Sequence, residues 1–366
     1  MTMRAADLLR LDASGLYCPP GDFHIDPMRP TARAVVTHGH GDHCRPGHAA
    51  ILATPETLAI AAVRYGESAF GATQPLAYGA PLKIGETTVT LRPAGHVLGS
   101  AQIVIESGGV RAVVSGDYKR RPDPTCAPFE PVACDLFVTE ATFGLPVFRH
   151  PPTEREIGKL LASLAAFPER AHGVGVYPLG KCQRVIAELR RAGWDGPIWL
   201  HGGLRKLTDL YDRLGVPMGE IRDATAAAKA EMAGQVVLAP ASALADKWAR
   251  RLPDPLICGA SGWMTVRQRA KQRGVELPLV LSDHADWDEL TDTILETGAE
   301  TVWVTHGAEE ALCHWCAGQG VSAEPLSLAG RGDDGEGEDE GKGEGEGDAP
   351  VHEPDPAPAP PAPPPA

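Results

Sequence analysis

The feature that most restricts what this chain can fold into is the segment 38–43, with the sequence HGHGDH, which follows a short apolar run. Because that run is typical of a short buried strand, we place the segment on the loop that leaves the strand. Imidazoles and a carboxylate packed this closely suit zinc or a similar divalent ion. The intervening glycines let His38 and His40 point to one ion, and Asp42 and His43 to another. A histidine-rich surface loop is the alternative, and further ligands elsewhere would argue against it.

Three more residues of the metal-binding type follow, each at the tip of a strand-like run and close to a glycine. They are His96, Asp117 and His306. In such an arrangement the rigid strand sets the position of the side chain, and the loop gives access to it. Each residue alone is more typical of a hydrogen-bonded structural position. Together with the segment 38–43, they indicate one metal centre.

This set of residues resembles the motifs of the metallo-β-lactamase fold, and specifically those of its β-CASP nucleases. The matching motifs are H-x-H-x-D-H at 38–43, G-H-x-x-G-S at 95–100, S-G-D at 115–117, a strand-end acid at Glu140, L-G-K-x-Q at 179–183, S-x-H-x-D at 282–286 and a last histidine at His306. The resemblance extends to about residue 330. Within the family, the segments 15–19, 25–27 and 115–119 most resemble those of the bacterial ligase-associated DNA exonucleases.

The resemblance implies an α/β fold, namely a metallo-β-lactamase αββα sandwich with an inserted β-CASP α/β domain. We predict a first part of the core at 1–145, an inserted cap domain at 146–278 and a return segment of the core at 279–330. The residues themselves indicate an α/β unit with a parallel sheet, because strand-like and helix-like runs alternate from about residue 151. The acidic and proline-rich segment 331–366 is predicted to be a disordered tail, either inert or competing with nucleic acid.

Two helices are predicted with particular detail. One covers 55–65, with Thr54 as the N-cap and Pro55 at the first helical position. The other covers 182–192 and is amphipathic, with its apolar residues on one side and Arg184 and Glu188 elsewhere.

The resemblance also implies how seven ligands divide between two divalent ions. The division is His38, His40 and His96 on the first ion, Asp42, His43 and His306 on the second, and Asp117 bridging both. Two such ions about 3.5–4 Å apart can lower the pKa of a shared water and clamp a phosphate during in-line attack. We expect the shared hydroxide to be the nucleophile, with Asp42 and Asp117 in the catalytic set. Zinc is the expected ion, and manganese is the alternative.

The resemblance assigns protonation of the leaving oxygen to His284, held by Glu140. A carboxylate bound to one imidazole nitrogen raises the basicity of the ring and fixes its tautomer, so the other nitrogen can donate. Asp26 occupies the place of an early acid of the family that supports the metal ligands by hydrogen bonds and is not itself a ligand. The alternatives are a structural acid at Glu140 and a helix-cap histidine at His284.

Contacts to nucleic acid are predicted from basic residues near these motifs. The candidates are Lys119, Lys181, Ser261, Arg267 and Arg269, with Tyr118 and Trp263 as the first aromatic side chains to test for base stacking. For the basic run at 267–273, a solvated helix face is an equal alternative.

The composition indicates the cellular compartment of the protein but not the reaction that it carries out. Much of the formal net charge of −14 lies in the tail, so the rest of the chain is only mildly acidic and neither indicates nor excludes a nucleic-acid partner. The eight cysteines form no paired framework, and the chain has neither a secretory apolar region nor a stretch that could span a bilayer. We expect a cytoplasmic protein with reduced thiols, and core cysteines at Cys313 and Cys316.

The resemblance favours a metal-dependent DNA exonuclease acting in DNA repair as the function. The first alternative is a β-CASP ribonuclease that processes RNA with the same chemistry, because recognition of the 2′-hydroxyl cannot be read from the sequence. A small-molecule hydrolase of the same fold and a scaffold without activity are further alternatives. The family resemblance also implies an ATP-dependent DNA ligase and a helicase as partners, and no membrane association.

Overall fold

A computed structural model of the chain describes residues 7–326. The strands are, in chain order, β1 (Arg10–Asp12), β2 (Gly15–Cys18), β3 (Phe23–Ile25), β4 (Ala34–Val35), β5 (Ile51–Ala53), β6 (Thr73–Pro75), β7 (Pro81–Ile84), β8 (Thr87–Pro93), β9 (Ala101–Ser107), β10 (Val110–Val114), β11 (Leu136–Ala141), β12 (His172–Gly175), β13 (Ile198–Leu200), β14 (Ile221–Asp223), β15 (Val236–Ala239), β16 (Leu256–Ala260), β17 (Leu277–Leu279), β18 (Thr301–Gly307) and β19 (Ser322–Pro325). The predicted tail at 331–366 lies outside the described residues.

The helices alternate with strands most regularly in the middle of the chain. They are α1 (Pro55–Tyr65), α2 (Thr153–Ala166), α3 (Lys181–Arg191), α4 (Arg205–Arg213), α5 (Ala241–Ala245), α6 (Arg267–Gln272), α7 (Trp287–Thr297) and α8 (Glu309–Gly318), with 3₁₀ turns at Gly202–Leu204, Lys229–Met232, Lys247–Arg251 and Gly262–Thr265. Among the described residues, no helix is both long and apolar enough to cross a membrane.

The strands form three sheets. The first has the order β1-β2-β3-β4-β5-β6, the second β19-β18-β11-β10-β9-β8-β7, and the third β14-β13-β15-β12-β16-β17. Side chains of the first and second sheets share one apolar core, in which Ile25 and Leu52 of the first sheet meet Val89 and Ile103 of the second. The two sheets therefore pack face to face.

Helices cover the outer faces of this pair of sheets. On the outer side of the first sheet, Ala61 of α1 packs with Ile51. On the outer side of the second sheet, Leu290 of α7 and Leu312 of α8 pack with Phe137. The result is four layers in the order helix, sheet, sheet, helices, which confirms the predicted mixed α/β class.

The third sheet lies in the chain between two neighbouring strands of the second. The chain leaves after β11 and returns at β18, which pairs with β11 in parallel. All strand pairs of the third sheet are parallel, as predicted from the alternation of strands and helices. Apolar clusters cover both faces of this sheet. The exact domain boundaries at 145 and 278 stay a prediction.

Both helices predicted in detail are present. The hydroxyl of Thr54 accepts a hydrogen bond from the backbone N–H of Thr57 at 3.2 Å, and helix α1 begins at Pro55. Helix α3 covers 181–191, but its polar residues Arg184 and Glu188 are buried together with its apolar ones. The predicted amphipathic helix is therefore present, and its polar side is buried as well because Arg184 finds ionic partners in the interior.

Candidate metal centre

The predicted ligands lie at or just after the ends of strands of the two packed sheets. The segment 38–43 follows β4, His96 follows β8, Asp117 follows β10, and His306 lies near the end of β18. Gly116 has φ +56°, and a Cβ atom there would lie 2.7 Å from the Cβ of Thr37. Only glycine allows this approach without strain, and the approach brings Asp117 beside His38.

Four ligand atoms converge in a first cluster. The Nδ1 atom of His40 lies 3.1 Å from Nε2 of His38 and 3.0 Å from Nε2 of His96. The Oδ2 atom of Asp117 lies 3.4 Å from the same nitrogen of His38 and 3.7 Å from that of His96. Tetrahedral ligands at about 2.0–2.1 Å from a zinc ion would be separated from one another by about 3.3 Å. The four atoms therefore fit the ligands of one ion.

Hydrogen bonds to the outer ring nitrogens fix which nitrogens face inward without a proton. A backbone carbonyl can only accept, so Nδ1 of His96 donates to the carbonyl of Asp283 at 2.8 Å. In the same way, Nε2 of His40 donates to the carbonyl of Leu179 at 3.2 Å. In a neutral ring, the opposite nitrogen then carries a lone pair. The inward nitrogens of His40 and His96 consequently face each other as acceptors.

Asp26 orients two further histidines. It accepts a hydrogen bond from the Thr37 hydroxyl at 2.6 Å, so that hydroxyl is left to accept from Nδ1 of His38, 3.0 Å away. Asp26 also accepts from Nδ1 of His43 at 2.8 Å. Both histidines thereby present Nε2 to the cluster. Such hydrogen bonds are what the predicted role of Asp26 requires, and that role stays a prediction.

A second cluster joins the first at Asp117. One ligand atom each from His43, Asp117 and His306 lies within 4.8 Å of the others. The Nε2 atom of His43 is 3.5 Å from Oδ2 of Asp117 and 3.3 Å from Oδ2 of Asp42. This nitrogen is buried and has no hydrogen-bond partner among the described residues. A buried nitrogen flanked by two carboxylates fits the environment of a metal ligand.

The electrostatics of the two clusters differ. Burial lowers the pKa of His38 and His96 and lowers the pKa of His40 to about 3, so these rings stay neutral at physiological pH. Burial would also lower the pKa of His43, but the carboxylates of Asp42 and Asp117 outweigh it and raise that pKa well above its ordinary value. The first cluster thus has the neutral imidazoles that metals require. The second cluster carries the negative charge of the Asp42 and Asp117 carboxylates.

A buried acid and histidine lie beside Asp117. The carboxylate of Glu140 contacts Nδ1 of His284 at 2.9 Å, and it also accepts a hydrogen bond from the backbone N–H of Tyr118 at 2.8 Å. Since Nδ1 donates to the carboxylate, Nε2 is the nitrogen of a neutral His284 that can exchange a proton. One ligand atom each from Asp117, Glu140 and His284 lies within 4.8 Å of the others.

Behind this pair is a buried ionic network that the sequence did not indicate. Arg184 lies 2.9 Å from Asp283 and 3.4 Å from Asp123. Lys181 lies 3.1 Å from Asp283, and Lys119 lies 2.5 Å from Asp123. Asp283 is the residue whose carbonyl binds His96, so the network adjoins the metal centre. Lys119, Lys181 and Asp283 each lie in a segment that matches a family motif, but none of those motifs indicates that the three side chains meet.

This network corrects two of the predicted nucleic-acid contacts. Lys119 and Lys181 are 1% exposed, and both are paired with aspartates in the interior. Neither amine is placed to meet a phosphate at the surface. Tyr118 is also fully buried, so it offers no stacking surface. Lysines close to the motifs suggested a basic track, but the fold uses them as internal counter-ions.

The remaining candidates lie together after β16. Ser261 is buried, and its hydroxyl accepts a hydrogen bond from the backbone N–H of Trp263 at 3.2 Å. On α6, Arg267 is exposed and Arg269 is half-buried. Their contact with nucleic acid stays a prediction.

Comparison with known proteins gives relatives but no family assignment. The chain matches no model of a known protein family. It is 29% identical over 306 residues to a protein of Opitutus terrae named "Probable DNA ligase", a match that covers 80% of this chain and 28% of that protein. It is 32% identical over 108 residues to "Endoribonuclease ysh1" of Aspergillus fumigatus, which covers 28% of this chain and 12% of that protein. The chain therefore spans less than a third of either relative.

A solved structure shares the fold. It is that of a protein of unknown function from Enterococcus faecalis V583, with a TM-score of 0.56 and 14% sequence identity. The match covers 81% of this chain and 79% of the other. At this identity the likeness describes the arrangement of helices and strands, and the chemistry must be argued from the side chains.

Proposed function

We propose that this protein is a metal-dependent phosphodiesterase of the metallo-β-lactamase fold with an inserted β-CASP domain, and that it acts on DNA as an exonuclease in repair. The observation that carries the proposal is the convergence of nitrogen lone pairs from His38, His40 and His96 on one point next to Asp117. Without a cation these lone pairs would only repel one another. The four-layer core and the third sheet between β11 and β18 support the fold assignment.

The residues that would hold the ions are those of the two clusters. His38, His40, His96 and Asp117 suit one ion, and His43, His306 and Asp117 suit the second, with Asp42 at its edge. When bound, two divalent ions supply a water of lowered pKa and positive charge that offsets the charge of the phosphoryl oxygens. The mixed nitrogen and oxygen donors favour zinc, and manganese is the alternative.

Asp117 and the Glu140–His284 pair have distinct roles in this proposal. The carboxylate of Asp117 lies between the clusters, 3.4 Å from His38 and 3.5 Å from His43, so it fixes their separation. Glu140 holds the His284 ring by Nδ1 and favours its imidazolium form, whose Nε2–H would protonate the departing oxygen. The backbone N–H of Tyr118 keeps the carboxylate of Glu140 in place.

The inserted unit forms one wall of the centre. The carbonyl of Leu179 binds His40, and the ring of Tyr177 lies edge-on to the same histidine, with 5.1 Å between the ring centroids. Both residues lie in the turn that leads into α3. In the proposed complex, the nucleic-acid strand would pass between this wall and the ligand loops.

The choice of DNA is supported by similarity to the protein named as a DNA ligase, which extends over 80% of this chain. The same similarity supports a functional link to a DNA ligase. A helicase partner is proposed from the family resemblance alone. The similarity to an endoribonuclease supports the second candidate, a ribonuclease with the same centre.

End-labelled DNA and RNA of matched sequence, incubated with zinc or manganese, test the proposal. We expect DNA to be shortened progressively from one end, and internal cuts in RNA would favour the ribonuclease instead. The control is Asp117→Ala, which should lose hydrolysis and keep its secondary structure. If neither polymer is cleaved with either metal, the proposed function is wrong.

A further inference from the structure

The 3₁₀ turn Gly262–Thr265 lies directly against the segment that carries His284. A Cβ atom at Gly262 would be 2.4 Å from a ring carbon of Phe143 and 2.9 Å from Cβ of Ser282. The turn is followed by α6, whose sequence from Arg267 has several basic residues and no acid. A basic helix therefore begins a few residues from the segment that supplies the proposed proton donor.

Aromatic rings connect this helix to the centre. The ring of Phe143 lies 6.2 Å from that of His284 and 4.8 Å from that of Trp263. The guanidinium carbon of Arg269 lies 3.9 Å from the centroid of the Trp263 ring. Because Trp263 is itself packed against both Phe143 and Phe148, the arginine rests on a rigid support.

Arg269 combines this close stacking with the lack of an acidic partner, unlike the paired arginines Arg149 and Arg205. Arg149 pairs with Asp288 at 2.9 Å, and Arg205 pairs with Asp209 at 2.7 Å. Within residues 7–326, no carboxylate forms an ion pair with Arg269, and its guanidinium makes no hydrogen bond to the protein. Stacking uses the face of the guanidinium and leaves the N–H donors at its edge available.

We propose that Arg269, supported by Trp263, binds a backbone phosphate of the substrate strand close to the scissile one. This inference rests on the proposed nuclease function. A planar guanidinium with open donors matches the oxygens of a phosphate, and its support on an indole lowers the entropy lost on binding. Arg267 and Lys271, exposed and one helical turn apart, contribute a diffuse attraction to the strand without a fixed position.

The test uses the full chain and DNA in which single phosphates are replaced, one position at a time, by uncharged methylphosphonates. Binding is measured by fluorescence anisotropy, and cleavage is measured on the same substrates. For the unmodified protein, replacement of the phosphate at one particular position should weaken binding about tenfold. This is the effect expected when one charge-assisted hydrogen-bonded pair is lost. The Arg269→Gln variant should bind unmodified DNA more weakly by a similar factor, and replacement of that phosphate should then have no further effect on its binding. The slope of the logarithm of affinity against the logarithm of salt concentration should fall by about one, as expected for one lost phosphate contact.

Three variants complete the experiment. Arg269→Lys keeps the charge but lacks the planar fork, so it should recover only part of the affinity. Lys83→Gln removes an exposed lysine from β7, at the edge of the second sheet farthest from β18, and should leave binding unchanged. Arg267→Gln should lower affinity at low salt without changing sensitivity to any single position. Equal melting temperatures would show that all variants are folded.

The outcomes separate the two proposals. If the unmodified protein cleaves DNA while Arg269→Gln binds and cleaves like it, the phosphate contact is refuted and the nuclease function stands. If the unmodified protein neither binds nor cleaves DNA or RNA, the nuclease function fails and takes the contact with it. If replacement of one phosphate weakens binding by the unmodified protein but has no effect on binding by Arg269→Gln, the nuclease function and the phosphate contact are both supported.

Discussion

Replacing Asp283 by asparagine should destabilise the protein strongly, because Asp283 is the acid that two buried cations share. Its carboxylate lies 2.9 Å from Arg184 and 3.1 Å from Lys181, and all three side chains are at least 95% buried. The asparagine keeps the shape and removes the charge. The network of Lys119, Lys181 and Arg184 would then have Asp123 as its one remaining acid.

The expected magnitude follows from these contacts. Two charge-assisted hydrogen bonds contribute about 1.5–3 kcal/mol each, and removal of one partner from a buried ion pair costs about 3–5 kcal/mol. We therefore expect Asp283→Asn to lower the free energy of unfolding by about 4 kcal/mol. Arg184→Met should cost less, about 2 kcal/mol, because the two lysines and two aspartates that remain still balance in charge.

Equilibrium unfolding in urea measures both values, and the double variant provides the control. Since Asp283→Asn leaves Arg184 without its closest acid, removing both should cost less than the sum of the single effects. The reasoning is refuted if Arg184→Met is more damaging than Asp283→Asn, or if Asp283→Asn is as stable as the unmodified protein. Either result would mean that Asp283 is not needed to neutralise the buried charges of Lys181 and Arg184.

Two further predictions concern the centre itself. Glu140→Gln should slow hydrolysis about 100-fold or more, because His284 loses the carboxylate that sets its tautomer, while the bound metal stays the same; steady-state kinetics with elemental analysis would show this, and a parallel loss of metal would contradict it. Asp26→Asn should weaken metal binding about 10- to 100-fold, because His43 loses the acceptor that orients its ring; titration with zinc measures this, and unchanged affinity would argue against the role of Asp26.

The sequence could predict the ligand loops because each candidate follows an apolar strand. His96 and Asp117 come after β8 and β10, which are separated only by β9 in the second sheet. Strand ends in a packed sheet lie close together, so residues far apart in the chain meet there. The same reasoning predicted the parallel third sheet from alternating strands and helices.

The interior charges could not be predicted in this way. Lys119, Lys181 and Asp283 come from three separate parts of the chain, and each is more typical of the surface when considered alone. The folded protein can bury these charges because each cation lies next to an aspartate. The contact of Arg269 with Trp263 was equally hidden, because it joins a 3₁₀ turn to the following helix, and no single periodicity runs through both elements.

Counting the ions that the protein binds tests the central claim most directly. Protein prepared without chelators and titrated with zinc should bind two equivalents, and Asp117→Ala should fail to hold both, because that carboxylate is shared between the clusters. Binding of no zinc, or two equivalents in both proteins with equal affinity, would contradict the account.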